Sequence, residues 1–514
     1  MAEISSNNKR IAKNTLMLYI RMLLSTVVGL YTSRVVLQTL GVEDFGIYGI
    51  VGGVVAMFSF LNSTMAGATS RFLTFEMGKG DKERLKDTFS SALIIHIGIA
   101  LLVFILAETV GLWFLNNKLV IPEGRMGAAH WVYQCSILAT IFAITQVPYN
   151  ALIISHERMG IYAYIEILSV CLRLLIVFLL TIFSIDKLKV YAVLVLTVSI
   201  IIRMIYRIYC MRNFSESHFS FTFKKDILKP MLSFSGWDFY GNMCVIVRQQ
   251  GTNFLINNFF GVIANTASSI ATTVSGVVSG FAFNIITAFR PRIIKSYAQE
   301  NWCEMQTMIN NAIKFSTLFL NMLAIPFLFE TSFIIQLWLG QVPQYVEPLI
   351  RLTLIANCVG NINSIIVIGI HATGRIKCIS FLTGTMFLLT IPISFFLLRL
   401  GCNVETVYIV NVLSNIFIVS LNLWIIKKQI DNINILSIIK VIVLSILITL
   451  LSVILILFIY KSMDEGFIRL IAISICDLIT MLLFTYILGL DRKQRNSVNN
   501  YILTKLHLKN ELNS

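Results

Sequence analysis

Three arginines and two carboxylates stand among residues that are otherwise almost all hydrocarbon: Arg21, Arg173 and Arg248, with Glu166 and Asp238. A charge at mid-bilayer costs roughly 2.5–3.5 kcal/mol on insertion scales, so each needs water, a cavity or a partner. At 3.6 residues per turn, Asn14, Arg21, Ser25 and Thr32 fall within about 40° of one another and form a narrow polar stripe. Ser235, Asp238, Asn242, Arg248, Gln249, Thr252 and Asn253 span about 140° of another helix, a face broad enough to line a cavity. Asp238 and Arg248 lie about 15 Å apart along that axis, so they cannot pair on one straight helix. Guanidinium groups take phosphate through paired hydrogen bonds. Arginines outnumber carboxylates here, which suits an anion better than a cation. Arg21, Arg173, Arg248, Asn14, Ser25, Asn242 and Gln249 are therefore the expected substrate contacts. Asp238, and after it Glu166, are the carboxylates expected to load and release a proton or Na+. For Glu166 and Arg173, seven residues apart on one helix face, pairing with neighbouring helices is the alternative.

The elements that hold these residues must be membrane helices. The 514 residues are 57% hydrophobic and 13% charged, against about 25% charged in soluble domains. Apolar segments at 14–36, 45–69, 88–115, 128–151, 161–184, 190–212, 230–256, 262–288, 306–330, 347–370, 378–398, 405–426, 437–460 and 468–490 predict an all-α polytopic membrane protein of about fourteen spanning helices. The first apolar segment is too long for a signal-peptide core and lacks a cleavage site, so it reads as an uncleaved span. Alternate loops hold 28 and 7 of the 41 Lys and Arg residues. This bias places both termini in the cytoplasm and accounts for the net charge of +15 without nucleic acid.

Shifting the chain by 220 residues lays Leu40-Gly41-Val42 on Phe260-Gly261-Val262, and the loop 68–86 on the loop 288–306. The shift implies two parallel six-helix lobes around a central cavity, plus two C-terminal helices. The divisions are a first lobe at 1–212, a cytoplasmic linker at 213–229, a second lobe at 230–426, helices 13 and 14 at 427–490, and a cytoplasmic tail at 491–514. Helices 2 and 8 each carry a GxxxG, at 49–53 and 276–280, read either as tight packing or as a small-residue wall of a wet cavity. Arg34 and Lys314 are expected to snorkel to headgroups, His96 to pack as a neutral imidazole, and Asp477 to find a packing partner. Glu347 and Arg351 are expected at an interface.

No GxxxxGK[ST], HExxH, GxSxG or metal-spaced His/Cys cluster is present. We expect no cofactor, no metal and no enzyme activity, with energy drawn from an ion, voltage or substrate gradient. The nine cysteines form no CxxC and read as small buried hydrophobes. The expected outer loops are too short for the extramembrane site of a polymerase or glycosyltransferase.

The opening NTLMLYIRMLLSTVVGLYTSRVVLQTLGVEDFGIYGIVGGVVAMFSFLNSTM resembles the N-terminal region of bacterial polysaccharide, O-antigen (Wzx-like) flippases of the multidrug/oligosaccharidyl-lipid/polysaccharide (MOP/MATE) exporter superfamily. LGVEDFGIYGI (Leu40 to Ile50) and ISHERMGIYAY (Ile154 to Tyr164) look like signatures of that family. The resemblance implies two bundles about a cavity open alternately to either side of a bacterial inner membrane. It implies a polyprenyl-pyrophosphate-linked oligosaccharide as substrate, with membrane lipids, H+ or Na+ and the polysaccharide polymerase machinery as partners. Arg21 and Arg248 are the positions carried over. Drug exporters of the superfamily typically place an acid in the first helix, whereas this chain has Arg21. An ion-coupled small-molecule (MATE-like) exporter is the alternative, and a membrane enzyme of polysaccharide assembly a more distant one.

Overall fold

The computed structural model describes residues 2–58, 60–117, 119, 121–122, 124–182, 186–220, 224–492, 494–496 and 499. The expected tail at 491–514 therefore lies almost wholly outside the described residues. Among these, twelve helices are long and apolar enough to cross a membrane. The two remaining expected segments, 45–69 and 230–256, are helical wherever they are described. In the second, Asp238, Arg248 and their polar neighbours lower the mean hydropathy.

The chain runs through α1 (Ala2–Phe58), α2 (Phe60–Lys79), α3 (Lys82–Leu106), α4 (Leu112–Asn117), α5 (Met126–Ser155), α6 (Met159–Ile182) and α7 (Lys187–Asn213). It continues through α8 (Lys225–Ala298), α9 (Trp302–Phe329), α10 (Thr331–Leu339), α11 (Val346–Thr373), α12 (Lys377–Arg399), α13 (Glu405–Gln429), α14 (Ile435–Ser462) and α15 (Phe467–Phe484). Two compact units emerge: one comprises Ala12–Phe239 with Ile294–Glu300, the other Met1–Ile11, Tyr240–Ile293 and Asn301–Ser514.

The internal repeat reappears in backbone geometry. Gly41 (φ 80, ψ 169) breaks α1 and Gly261 (φ 75, ψ −168) breaks α8, 220 residues apart. Both adopt a conformation essentially reserved for glycine. After α2, Gly80 turns with positive φ and Asp81 caps α3 by accepting from the Arg84 amide at 3.0 Å. After α8, Glu300 turns with positive φ and Asn301 caps α9 by accepting from the Glu304 amide at 3.1 Å. These pairs too are 220 apart, and each cap satisfies an amide that the first helical turn leaves without a partner.

The stretches 71–87 and 290–304, expected as basic loops, are mostly helix. No Gly or Pro interrupts 68–77, and Arg, Glu and Met favour helix, so α2 runs on to Lys79; α8 likewise runs on to Ala298, with Pro291 inside it. In the first unit, Leu73, Phe89, Leu152 and Tyr206 from α2, α3, α5 and α7 share one buried cluster. A π-turn at Ala107–Gly111 ends α3, and the Tyr133 hydroxyl donates to the Ala107 carbonyl at 2.6 Å. In the second unit, Ile256, Ala264, Leu320, Leu349 and Val407 from α8, α9, α11 and α13 form the corresponding core.

The two extra helices are held to α9 by polar bonds, which hydrocarbon favours over further apolar contact. Asn310 donates to Ser437 and Asn321 to Thr449, each at 2.8 Å. Arg469 grips Glu330 through two bonds of 2.6 and 2.9 Å. Asp477 is fully buried and accepts from Ser452 at 2.9 Å. His96 is buried and donates from Nδ1 to the Ala92 carbonyl at 2.8 Å. Arg351 pairs with Glu347 at 3.5 Å. Lys314 does not snorkel: it is buried, and its ammonium donates to the Gly489 carbonyl at 2.8 Å. That carbonyl closes the π-turn after α15, where a cation offsets the exposed end of the helix dipole.

The tight-packing reading of the two GxxxG motifs is also corrected. A Cβ built on Gly49, Gly53, Gly276 or Gly280 meets nothing within 4 Å. Close approach occurs elsewhere, as at Gly251, whose Cβ would meet Ile391 at 2.6 Å. Gly41→Ala and Gly261→Ala should each lower stability by roughly 1–3 kcal/mol through backbone strain alone, since a Cβ meets nothing there either. Gly49→Ala and Gly276→Ala, in open helical positions, should leave it unchanged or raised. Thermal unfolding of the four variants in detergent checks both statements.

Candidate functional site

The C-terminal part of the broad polar face foreseen on the seventh expected helix lines a cavity, while Ser235, Asp238 and Asn242 of that face stand outside it. Within the second unit, Arg248, Gln249, Thr252 and Asn253 project from α8 before Gly261, and Ser268, Thr272, Ser275 and Ser279 from α8 after it. Thr353, Asn357, Asn361 and Ser364 come from α11 and Tyr408, Asn411 and Asn415 from α13, in steps of three and four residues that keep each set on one helix face. Phe387 of α12 joins them around a cavity of about 740 Å³, within the range of about 300–1,000 Å³ typical of small-molecule sites.

Arg248 is the cavity's only charged lining residue among those described. Its guanidinium carbon lies 4.3 Å from the centre of the Phe387 ring, which orients the fork without neutralising it. Nη1 is buried and has no hydrogen-bond partner. Part of the wall is braced from behind. Tyr408 donates to Ser268 at 2.7 Å, Ser268 to Asn253 at 3.1 Å, and Asn357 to Ser275 at 2.8 Å.

A second polar cluster lies within the first unit. Asn14 donates to the Glu157 carbonyl at 3.1 Å, and Arg21 donates from Nη1 to the Tyr162 hydroxyl at 3.2 Å. Glu166, one turn beyond Tyr162 on α6, accepts from the Tyr206 hydroxyl at 2.9 Å. Arg21 Nε is buried without a hydrogen-bond partner.

The expected site residues thus divide into two sets: Arg248 with Gln249 in one unit, and Asn14, Arg21 and Glu166 in the other. Ser25 is half-buried on α1, and Arg173 is exposed on α6, with Tyr48 and Tyr191 nearby. Asp238 is half-buried at the end of the first unit's run, while Asn242 is exposed and outside the cavity wall. Sequence reasoning missed Asn357, Asn361, Asn411, Tyr408 and Phe387. The signal was there in the amides recurring on one face of the apolar segments 347–370 and 405–426.

The two signature stretches act as fasteners within the first unit. Asp44 of LGVEDFGIYGI holds Arg125 through Nε at 2.9 Å and again through Nη2. The same guanidinium reaches Asp186 at 3.1 Å, and Asp186 caps α7. In ISHERMGIYAY, Ser155 shares a hydrogen bond with Thr74 at 2.9 Å and His156 bonds Glu216 at 2.6 Å. Glu157 pairs with Lys295 at 3.7 Å, and Arg158 donates to the Tyr209 hydroxyl at 2.9 Å. Burial is the largest single influence on the Glu216 carboxyl and raises it, but the bond to His156, a backbone amide, the His156 charge and the Ser215 hydroxyl together outweigh it and leave the group below the usual glutamate range.

Comparison with known proteins places these features in context. The family model described as polysaccharide biosynthesis protein matches residues 9–297. An uncharacterized membrane protein of Bacillus subtilis (strain 168), EpsK, is 20% identical over 342 residues, which is 64% of this chain and 65% of that protein. The chain thus spans just under two thirds of this curated relative. Among solved structures, MATE in its straight conformation is similar with a TM-score of 0.68 at 13% identity, covering 84% of this chain and 97% of that one. An outward-facing multidrug resistance MATE family transporter of the MOP superfamily gives 0.68 at 14%, covering 82% and 96%. A MOP superfamily transporter from Pyrococcus furiosus, whose binding pocket has reversed polarity, gives 0.67 at 13%, again covering 82% and 96%. These likenesses establish the fold as that of the MOP transporters.

The Asp44–Arg125 contact marks the first signature as structural. Asp44→Ala and Arg125→Ala should each lower the melting temperature. A double-mutant cycle should give a coupling of roughly 0.5–3 kcal/mol. A coupling near zero in detergent-solubilised protein would free Asp44 for a role in binding.

Proposed function

The chain belongs to the polysaccharide biosynthesis protein family, and on that premise we propose that it is a flippase for a polyprenyl-pyrophosphate-linked oligosaccharide. The cargo is an O-antigen, capsule or exopolysaccharide repeat unit, carried across a bacterial inner membrane by alternating access. The observation that carries this reading is the state of Arg248. A guanidinium lines a cavity in a membrane-embedded unit, and among the described residues one of its nitrogens is unmet and no carboxylate stands in the wall. An unpaired charge in that setting is expensive, and an anionic headgroup is the ligand that relieves it, its two oxygens matching the guanidinium fork. The polyprenyl tail stays in lipid while the headgroup passes.

The Lys and Arg bias supports cytoplasmic termini, with loading of the headgroup on that side and delivery to a polymerase on the other. Arg21, held to Tyr162 within the first unit, is a second cation suited to an anionic headgroup. Glu166 sits one turn from Tyr162 and holds the Tyr206 hydroxyl, so protonation there would alter the surroundings of Arg21. This favours Glu166 over Asp238 as the ion-coupling carboxylate, reversing the order expected from sequence.

Arg248→Ala should cut surface polysaccharide and in-vitro headgroup translocation by more than about tenfold, the scale of a lost charge-assisted hydrogen bond, with insertion unchanged. Arg21→Ala should do the same, and Lys at either position should restore part of the activity, keeping charge but not the fork. Full export by both alanine variants, or drug resistance that survives them, would support the small-molecule exporter instead.

Coupling is read in proteoliposomes with imposed pH or Na+ gradients. Glu166→Gln should leave translocation running but indifferent to the gradient. A gradient response that persists in Glu166→Gln and disappears in Asp238→Asn would return the role to Asp238.

A further inference from the structure

The cavity around Arg248 is walled by amides and hydroxyls rather than by further charge. Two of its lining residues carry carbonyl oxygens that no described residue satisfies: Asn361 Oδ1 and Asn411 Oδ1 are buried without a hydrogen-bond partner among the described residues. Asn361 is 7% exposed, and its own amide nitrogen is already spent on Ser316 at 2.8 Å and Thr317 at 3.2 Å, so its oxygen is held in place. Among the described residues, the wall therefore carries one unmet cationic donor, Arg248 Nη1, and two unmet neutral acceptors.

That combination discriminates among ligands. A bare phosphate brings acceptors only; it can meet Arg248 but leaves both amide oxygens stranded. An organic cation can meet the amide oxygens but is repelled by the guanidinium. An apolar molecule meets neither. A sugar hydroxyl or acetamido N–H donates to an amide carbonyl, and a phosphate on the same molecule accepts from the guanidinium. A site that hydrogen-bonds a hydroxyl discriminates strongly against an analogue lacking it, because its own buried groups are then left unpaired. With no second cation and no carboxylate among the described residues of the wall, none of them selects a charge on the sugar.

We infer that the Asn361–Asn411 wall is a sugar subsite, which takes an uncharged polyhydroxylated residue linked directly to the pyrophosphate that Arg248 holds. The inference rests on the flippase reading and adds to it the character of the first sugar. Specificity then divides between two features of one cavity: Arg248 recognises what all such lipid carriers share, and the amides recognise the glycan.

The test uses the full chain in lipid nanodiscs and two probes, geranyl pyrophosphate and geranyl-pyrophosphoryl N-acetylglucosamine, with affinities measured by calorimetry. The sugar-bearing probe should bind at least about tenfold more tightly. Asn411→Leu, of nearly the same size, should erase that advantage while leaving the affinity for geranyl pyrophosphate unchanged. Arg248→Ala should weaken both probes. If Asn411→Leu does not elute as folded protein, Asn411→Ala reads the same loss with less steric demand. Equal affinity for the two probes, or an equal loss of both in the Asn411 variants, would overturn the subsite while the pyrophosphate site stands. Tighter binding of a glucuronosyl probe than of the N-acetylglucosaminyl one would overturn the preference for an uncharged sugar. Failure of both probes to bind at all would remove the flippase reading together with the subsite.

Discussion

A guanidinium drawn partly out of water has few acceptable surroundings, and the organisation of this protein follows from the ones it finds. Arg469 meets Glu330 in a closed two-bond pair, and Arg125 is held between Asp44 and Asp186. Both are neutralised within the protein and fasten helices together. Arg248 is treated differently: it receives an aromatic face and a cavity, but no carboxylate among the described residues. The difference between a paired and an unpaired arginine separates scaffold from site more clearly than burial does, since all three are withdrawn from bulk solvent to some extent.

Charge was the part of the site that could be read from the chain. Arg21, Glu166 and Arg248 stand out because apolar segments tolerate so few ionisable groups. The amides of α11 and α13 did not stand out, because Asn is inexpensive enough in a membrane helix to pass as interhelical glue; only the cavity shows that several face one space. Small residues misled in the opposite way. Glycines at 49–53 and 276–280 carried the pattern of a packing seam, yet the structure leaves them with open space and puts its close contacts at Gly251, Gly369 and Gly384. A spacing motif records which side of a helix is small, not what stands opposite it.

The fold was more legible, and for a physical reason. Spanning helices are set by hydrocarbon thickness, so their number follows from segment lengths. The faint repeat at a shift of 220 was recoverable because the positions where the backbone cannot be ordinary were kept: Gly41 and Gly261, and the Asx caps at Asp81 and Asn301. Side chains on lipid-facing surfaces interchange freely among Leu, Ile, Val and Phe, which blurs the rest of the similarity. Helix ends were the weak point. Hydropathy ends where charge begins, but α2 and α8 continue as helices well past that point, carrying basic residues along with them.

The one-residue break at Gly41 has a mechanical corollary. The helix leading up to it, Asn14–Gly41, contains 28 residues and so extends about 42 Å at 1.5 Å per residue. A rotation of about 10° confined to that glycine's two backbone torsions would sweep the far end of the rod through about 7 Å, more than one full helical pitch. Leverage of this kind needs no flexible linker and breaks no hydrogen bond within the rod. Side chains at the end of this span furthest from Gly41, Asn14 among them, travel furthest for the least torsional change.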